Sequence, residues 1–214
     1  MIVACVLVQG YVNYTPDYVS KLRSMVKRHL QREHTFVCLT DQQGVDADRQ
    51  WSIDTPEDMH PWWAKIHLFN PKLFRPGQVV MYLDLDVLIV KNLLDILHYA
   101  DGHFTLVPHA GRWKGKGAMK VVPRFNSSCM VWRAEQGYHL YNAWSKGVTR
   151  RLWGDQDWIG ERMPHAKTFP LEWFPRLSEV VSPPFPEEAK VILTKKPKNH
   201  IAAEHWPWFK EAWQ

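Results

Sequence analysis

Two aspartates inside an apolar stretch are the residues of this sequence best suited to chemistry. Asp84 and Asp86 interrupt residues 79–90, of which ten of twelve are apolar or aromatic. On a strand, side chains two residues apart point to the same face, so these carboxylates would repel each other where solvation is poor. A divalent cation removes that repulsion, and oxygen ligands suit Mg²⁺ or Mn²⁺. The pair predicts a cation site able to hold a diphosphate, although a solvated pair at a strand end has the same spacing.

Two further segments carry side chains that could contact a phosphate. Lys65 lies on a short predicted helix before the aspartates and could neutralise a phosphate oxygen or a carboxylate, or be an ordinary surface lysine. A Lys/Pro turn near the carboxyl terminus could clamp a diphosphate, or be a solvated turn; its residues are Lys195, Lys196 and Lys198.

Amide, hydroxyl and carboxylate groups in two later segments are suited to sugar hydroxyls. Asn126-Ser127-Ser128 begins a predicted strand, and by itself the segment is more typical of a plain turn. In Gly154-Asp155-Gln156-Asp157-Trp158 the carboxylate and amide could bind hydroxyls while a tryptophan covers a sugar face. The same acids could instead cap a helix, or Asp155 and Asp157 could hold a second cation.

The elements that must position these side chains alternate between strands and helices. Apolar runs predict strands at residues 2–8, 35–39, 78–83, 103–107, 128–133 and 191–193. Helical spacing and caps predict helices at 16–31, 62–69, 92–98, 135–146, 155–163 and 207–213, with a mobile loop at 109–124 and an irregular segment at 170–189. The order predicts an α/β fold with a central, mostly parallel sheet flanked by helices, and ligands at the strand tips.

Composition limits the class of protein. A length of 214 residues with 45% hydrophobic content fits one domain spanning 1–214. There is no apolar run near 18 residues, and the first ten residues read as a buried strand rather than a signal peptide. Cys5, Cys38 and Cys129 are odd in number and far apart, which predicts reduced core thiols and a cytosolic protein. The sequence lacks the phosphate-binding Gly-x-x-x-x-Gly-Lys-Ser/Thr and Gly-x-Gly-x-x-Gly patterns.

Taken in order, these motifs resemble one family. The matching segments are Gly10-x-x-x-Tyr14-Thr15-Pro16-Asp17-Tyr18, Phe36-Val37-Cys38-Leu39-Thr40-Asp41, Trp62-Trp63-Ala64-Lys65, Tyr82-Leu83-Asp84-Leu85-Asp86, Asn126-Ser127-Ser128 and Gly154-Asp155-Gln156-Asp157-Trp158. The set is similar to glycosyltransferases with the A-type nucleotide-sugar fold, near family 8 and its bacterial and phage relatives. The resemblance implies a single Rossmann-like domain that binds a nucleoside diphosphate sugar, most often a UDP-sugar, through Mn²⁺ or Mg²⁺.

The resemblance also implies roles for individual residues. Asp84 and Asp86 would bind the metal, and Lys65 would contact the diphosphate or the aspartates. Asn126, Ser127, Asp155 and Gln156 would line the transferred sugar, with Gln156 near the anomeric carbon. Asp155, Gln156 and Lys65 are therefore the candidate catalytic residues, and retention of anomeric configuration is implied.

The terminal segments depart from the family. Many relatives end their first strand with an acid that contacts uracil, whereas Val8-Gln9 occupies that place, with Tyr11 following; we assign Gln9 and Tyr11 to donor binding. The third metal ligand of the relatives is a histidine whose place here is taken by Thr194, so Thr194, His200 or water would complete the coordination. Lys198 matches a phosphate-clamping lysine, and residues 170–214 would close over the donor.

The acceptor has two candidates. Between Gly102 and Ala134 there are six Lys or Arg and no acid, and the net charge of the chain is +5. This basic character favours a hydroxymethylated base in DNA as the acceptor, as in phage DNA modification. The expected location is then the cytosol of a bacterium or of an infected host. A saccharide or lipid-linked glycan is the alternative acceptor. A module that binds nucleotide sugar or nucleic acid without activity is the non-enzymatic alternative. The oligomeric state does not follow from the sequence.

Overall fold

The protein is built around a seven-stranded sheet. The computed structural model describes residues 1–10, 14–54, 60–109, 125–180, 182–194 and 206–214. The strands are β1 (Ile2–Leu7), β2 (Thr35–Thr40), β3 (Arg49–Ser52), β4 (Val79–Leu83), β5 (Leu88–Ile89), β6 (Thr105–Pro108), β7 (Phe125–Arg133), β8 (Lys167–Thr168) and β9 (Val191–Ile192). The sheet order is β3-β2-β1-β4-β7-β6-β8, and β7 runs antiparallel to β4 and β6 while the other pairs are parallel.

Six α-helices and three 3₁₀ segments surround the sheet in the described part of the chain. The α-helices are α1 (Pro16–His29), α2 (Leu94–Ala100), α3 (Ala134–Asn142), α4 (Lys146–Arg151), α5 (Asp155–Arg162) and α6 (Pro207–Ala212). The 3₁₀ segments are Pro61–Phe69, Leu171–Trp173 and Leu177–Glu179. None of these helices is long and apolar enough to cross a membrane.

Each sheet face covers its own apolar core. One face carries Cys5, Cys38 and Met81 and packs against α1 and α6. The opposite face carries Ala4 and Tyr82 and packs against the 3₁₀ helix Pro61–Phe69. Alternating strand residues point to opposite faces, so an almost continuously apolar strand supplies both cores. The three cysteines are free and buried, as predicted.

The topology brings the polar motifs to one edge of the sheet. β1 lies between β2 and β4, so the connections that follow β1 and β4 leave the sheet toward opposite sides. Such a reversal of strand order is a topological switch point, and ligands of open α/β sheets bind at the carboxyl ends of the strands there. Because β7 is antiparallel, its amino end, with Asn126 and Ser127, lies at the same edge as the end of β4. The predicted mostly parallel α/β sheet is confirmed.

The second, two-stranded sheet joins the carboxyl-terminal region to this edge. β5 follows the aspartates and pairs antiparallel with β9, with Leu88 opposite Ile192. This pairing places Thr194, just after β9, within hydrogen-bonding distance of Asp86.

Three local expectations differ from the structure. Asp84 and Asp86 lie in a turn after β4, which ends at Leu83, rather than inside a strand, because acids disfavour strand interiors. Asn126-Ser127-Ser128 lies within β7, which begins at Phe125 rather than at residue 128. The helix predicted at 135–146 ends at Asn142 as α3, and α4 (Lys146–Arg151), which follows it, was not predicted.

Candidate active site

Lys65 is the centre of the polar cluster at this edge. Its ammonium lies 2.7 Å from Oδ1 of Asp84 and 4.0 Å from Oδ2 of Asp155, and it donates a 3.2 Å hydrogen bond to Ser127 Oγ. The Lys65 side chain is only 15% exposed. It therefore links the end of β4, the start of β7 and the start of α5, three segments far apart in sequence.

Asp84 makes its contacts within the cluster through one carboxylate oxygen. Its Oδ1 accepts both the Lys65 contact and a 2.5 Å hydrogen bond from the Tyr82 hydroxyl. Burial, together with the charge of Asp84, raises the pKa of Tyr82 well above its ordinary value, so the phenol remains a donor. With Oδ1 engaged, the other oxygen of Asp84 is available to a ligand.

Asp86 carries a charge that the surrounding protein stabilises only in part. The residue is 8% exposed. Burial and the neighbouring charge of Asp84 raise the pKa of Asp86 to about 6, opposed by a hydrogen bond from the Tyr14 hydroxyl. Thr194 Oγ1 donates a 2.6 Å hydrogen bond to the main-chain carbonyl of Asp86 and so fixes its backbone.

An aromatic chain supports Tyr14 from behind. The Tyr14 ring lies edge-on to Tyr18 with 4.9 Å between centroids, and Tyr18 lies edge-on to Trp213 at 5.6 Å. Arg28 on α1 donates to the carbonyls of Ala212 and Gln214, which holds the end of the chain against that helix. Trp213 is thereby linked through Tyr18 to Tyr14, whose hydroxyl hydrogen-bonds Asp86.

Asp155 presents a buried carboxylate oxygen toward the cluster. The residue is 4% exposed, and its Oδ2 has no hydrogen-bond partner among the described residues. Ser127, which accepts a bond from Lys65, hydrogen-bonds the Asp155 carboxyl. Burial raises the pKa of Asp155, and Lys65 opposes that rise. A buried, unsatisfied acceptor is costly, and a ligand hydroxyl would satisfy it.

Asp157 and Trp158, two other members of the Asp155 motif, have structural roles. Asp157 accepts a 3.1 Å hydrogen bond from the main-chain N–H of Trp153, so its carboxylate holds the segment before α5. Trp158 is buried, and its indole N–H donates to the carbonyl of Leu140 at 3.0 Å. The expectation that Trp158 covers a sugar face is wrong for this reason; the exposed tryptophan of this segment is Trp153.

Asn126 and Gln156 keep polar groups for a ligand. Asn126 Oδ1 accepts the N–H of Ser128 at 2.7 Å, which fixes the amide orientation and leaves its NH₂ group for other partners. The Gln156 amide makes no hydrogen bond within the described residues, and the side chain is partly exposed. Each is the sequence neighbour of a residue in the Lys65 cluster, since Asn126 precedes Ser127 and Gln156 follows Asp155.

The remaining predicted residues are more distant or outside the described ranges. Gln9 is exposed at the end of β1, where its N–H donates to the Asp41 carboxylate at 3.1 and 3.0 Å. Tyr11, Lys198, His200 and the basic residues 110–124 lie outside the described residues. Sequence reasoning missed the roles of Tyr82 and Tyr14. Tyr82 could have been found, because it precedes Asp84 by two residues on a strand.

The charges present fit a divalent cation. Lys65 pairs with Asp84 and Asp155, and the buried Asp86 lies near Asp84, so three carboxylates share one ammonium in a poorly solvated place. The available oxygens of Asp84 and Asp86 are ligands that Mg²⁺ and Mn²⁺ prefer. Among the described residues there is no group of three or more His, Cys, Asp or Glu side chains arranged to hold a metal, so further ligands would come from elsewhere.

Comparison with known proteins gives a family and a fold. The model of the nucleotide-diphospho-sugar transferase family matches residues 17–170. The crystal structure of the galactosyltransferase LgtC with donor and acceptor sugar analogues superposes with a TM-score of 0.67 at 14% identity, covering 99% of this chain and 95% of that one. An active-site mutant of LgtC gives 0.65 at 14% identity with the same coverage. No curated protein sequence matches at a significant level.

Proposed function

The chain belongs to the nucleotide-diphospho-sugar transferase family, and on that premise we propose that it transfers a sugar from a nucleoside diphosphate sugar to an acceptor hydroxyl with the help of a divalent metal. The observation that carries the proposal is the Lys65 cluster. Surplus buried carboxylate at the carboxyl edge of the sheet has little structural use, and it suits a cation that binds a diphosphate.

Within this proposal, Asp84 and Asp86 hold Mn²⁺ or Mg²⁺, with Thr194, His200 or water as further ligands. The metal would supply positive charge for the diphosphate as it leaves. Lys65, whose ammonium is fixed by three side chains, stabilises the same developing charge without having to reorganise. Lys198 would add a second ammonium, and residues 170–214 would close over the donor.

The transferred sugar would lie beside Asp155. Its buried Oδ2 accepts a sugar hydroxyl, while the amides of Asn126 and Gln156 bind neighbouring hydroxyls. Ser127 orients both Lys65 and Asp155. Gln9 and Tyr11 contact the nucleoside, a UDP moiety being our first choice. We propose retention of anomeric configuration, with Gln156 near the anomeric carbon.

A donor screen tests the proposal. Thermal unfolding with UDP- and GDP-sugars, in Mn²⁺, Mg²⁺ or EDTA, should show stabilisation by one donor class that EDTA removes. Donor hydrolysis in the same mixtures separates an enzyme from a module that only binds. Asp86→Ala should abolish both effects, whereas Asp101→Ala is the matched control, because Asp101 is 82% exposed and pairs with Arg133 rather than with Lys65. Full metal-dependent binding and hydrolysis by Asp86→Ala would refute the proposal.

Two acceptor classes remain open within this function. LgtC was crystallised with an acceptor sugar analogue, which supports a saccharide. The acid-free basic stretch between Gly102 and Ala134 supports a hydroxymethylated base in DNA. Binding to duplex DNA that weakens steeply with salt, followed by a mass increase of hydroxymethylated DNA, would identify the second class.

A further inference from the structure

A pair of stacked indoles, one exposed and one partly buried, lies beside the Lys65 cluster. Trp153 is 63% exposed, and the only other large hydrophobic residue so exposed in the described ranges is Leu171 at 45%. The indole of Trp153 stacks on that of Trp62, with 5.8 Å between ring centroids and 28° between planes. His60 stacks on Trp62 at 3.2 Å and 22°. The result is a short aromatic stack whose outermost ring faces solvent.

The two stacked tryptophans are offset from Lys65 and Asp155 by similar distances along their own segments. Trp62 precedes Lys65 by three residues on a 3₁₀ helix, where residues three apart lie above one another with a rise of about 6 Å. Trp153 precedes Asp155 by two residues, and Gly154 between them is extended, a separation of about 6–7 Å with both side chains on one side. The two elements therefore contact twice: as Lys65 with Asp155, and one step outward as Trp62 with Trp153.

The backbone under Trp153 is fixed in advance. The Asp157 carboxylate accepts the Trp153 N–H at 3.1 Å. The Trp62 indole lies over Gly154, where an added Cβ would be 3.7 Å from its Nε1. An exposed indole held in this way has little use in the core, and a rigid aromatic surface near polar groups is typical of a ligand site.

The charges near the stack favour a neutral ligand. Arg151, two residues before Trp153, pairs with Glu161, and Arg162 lies over the Trp158 ring. The acids of the neighbouring cluster repel phosphate that is not accompanied by a cation. The Gln156 amide, which has no partner in the described residues, can donate to and accept from hydroxyls.

We propose that the Trp62–Trp153 stack is the acceptor subsite and binds the apolar face of one pyranose ring of a saccharide. The proposal rests on the proposed function and gives its acceptor class. A separation of about 6 Å from the Lys65–Asp155 pair is the width of one sugar ring. A pyranose lying on Trp153 would thus present a hydroxyl next to the sugar held at Asp155, which is the geometry that transfer requires.

Binding of simple sugars provides the test. Methyl α- and β-pyranosides of glucose and galactose, at millimolar concentration, are the probes, and saturation-transfer NMR detects binding to the full chain. Trp153→Ala should weaken binding of the pyranosides that bind by at least about fivefold, and Trp153→Tyr should retain most of it. Leu171→Ala is the matched control, because it removes the other exposed apolar side chain and should leave binding unchanged.

The other outcomes overturn the inference. Trp153→Ala should lower pyranoside affinity by a larger factor than donor affinity, and an equal loss of donor affinity would assign the stack to the donor. Trp153-dependent binding of a hydroxymethylated single-stranded oligonucleotide without pyranoside binding would make the acceptor a nucleobase. Absence of pyranoside binding, or binding indifferent to Trp153, would refute the subsite. A wild-type protein that neither binds nor hydrolyses donors would instead refute the proposed function. Pyranoside binding could still be measured in that case, because its assay contains no donor.

Discussion

Replacing Asp86 with asparagine should stabilise the metal-free protein while abolishing sugar transfer. Asp86 is 8% exposed and lies beside Asp84, and its pKa is raised to about 6 from an ordinary 3.8. The folded state thus binds this proton more tightly than the unfolded state. The penalty for ionisation is absent below pH 3.8, grows as pH rises from 3.8 to 6, and is complete above pH 6.

The size of the effect follows from that shift. About two pK units at about 1.4 kcal/mol each correspond to roughly 3 kcal/mol of lost stability above pH 6. Asparagine does not ionise, and its carbonyl can still accept the hydrogen bond from Tyr14. At pH 8 Asp86→Asn should therefore raise the free energy of unfolding by up to about 3 kcal/mol, or the melting temperature by about 6–12 °C. At pH 4 the two proteins should be nearly equal.

Thermal and urea unfolding in EDTA from pH 4 to 8 measure this prediction. Asp101→Asn is the control, because an 82% exposed carboxylate paired with Arg133 at 3.5 Å should change stability by less than about 1 kcal/mol. Adding Mn²⁺ and donor should stabilise the wild type and leave Asp86→Asn unchanged, which reverses their order. An Asp86→Asn protein that is less stable than the wild type at pH 8 in EDTA would show that the carboxylate pair is not destabilising, and the reasoning would be wrong.

Three further changes have expected outcomes. Lys65→Met leaves buried carboxylates without their cation and should cost roughly 3–5 kcal/mol in urea unfolding, with donor hydrolysis lost; unchanged stability would contradict the central role of this ammonium. Tyr14→Phe removes the hydroxyl that hydrogen-bonds Asp86 and should weaken Mn²⁺ binding by about threefold to tenfold in calorimetry, with little effect on folding; equal Mn²⁺ affinity would exclude this role. Gly137→Ala places a Cβ 2.5 Å from Phe69 Cδ1, so it should lower stability by about 1–3 kcal/mol, and a neutral effect on the melting temperature would mean that the ring can shift.

Elements with a strong local signal were predicted closely from sequence. The helix α1 begins at Pro16 and ends at His29, so the first-turn proline and the apolar spacing predict it closely, although Thr15 at the N-cap makes no side-chain capping hydrogen bond. The strand β3 was missed, because the four residues Arg49–Ser52 form an exposed or half-buried edge without an apolar run. The predicted helix 135–146 extends beyond α3, because periodicity does not show the break after Asn142, and the prediction does not include α4, which begins at Lys146.

The candidate active site also has a part that the sequence predicts and a part that only the fold decides. The sequence by itself determined that Asp84 and Asp86 interrupt an apolar stretch and that Lys65 and Asp155 belong to predicted helices, because polar residues stand out against a hydrophobic pattern. Only the tertiary structure placed Lys65 between Asp84 and Asp155, separated by 19 and 90 positions along the chain, since sheet order decides which strand ends meet.

Burial decided the remaining roles. Trp158 and Trp153 are indistinguishable by type, yet one donates its N–H inside the core and the other is 63% exposed beside the ion pair. The hydrogen bond from Tyr14 to Asp86 likewise depends on long-range packing against Tyr18 and Trp213. Residue type and periodicity are local properties, whereas the charge, solvation and neighbours of a side chain are set by contacts between distant segments, and those contacts exist only in the folded chain.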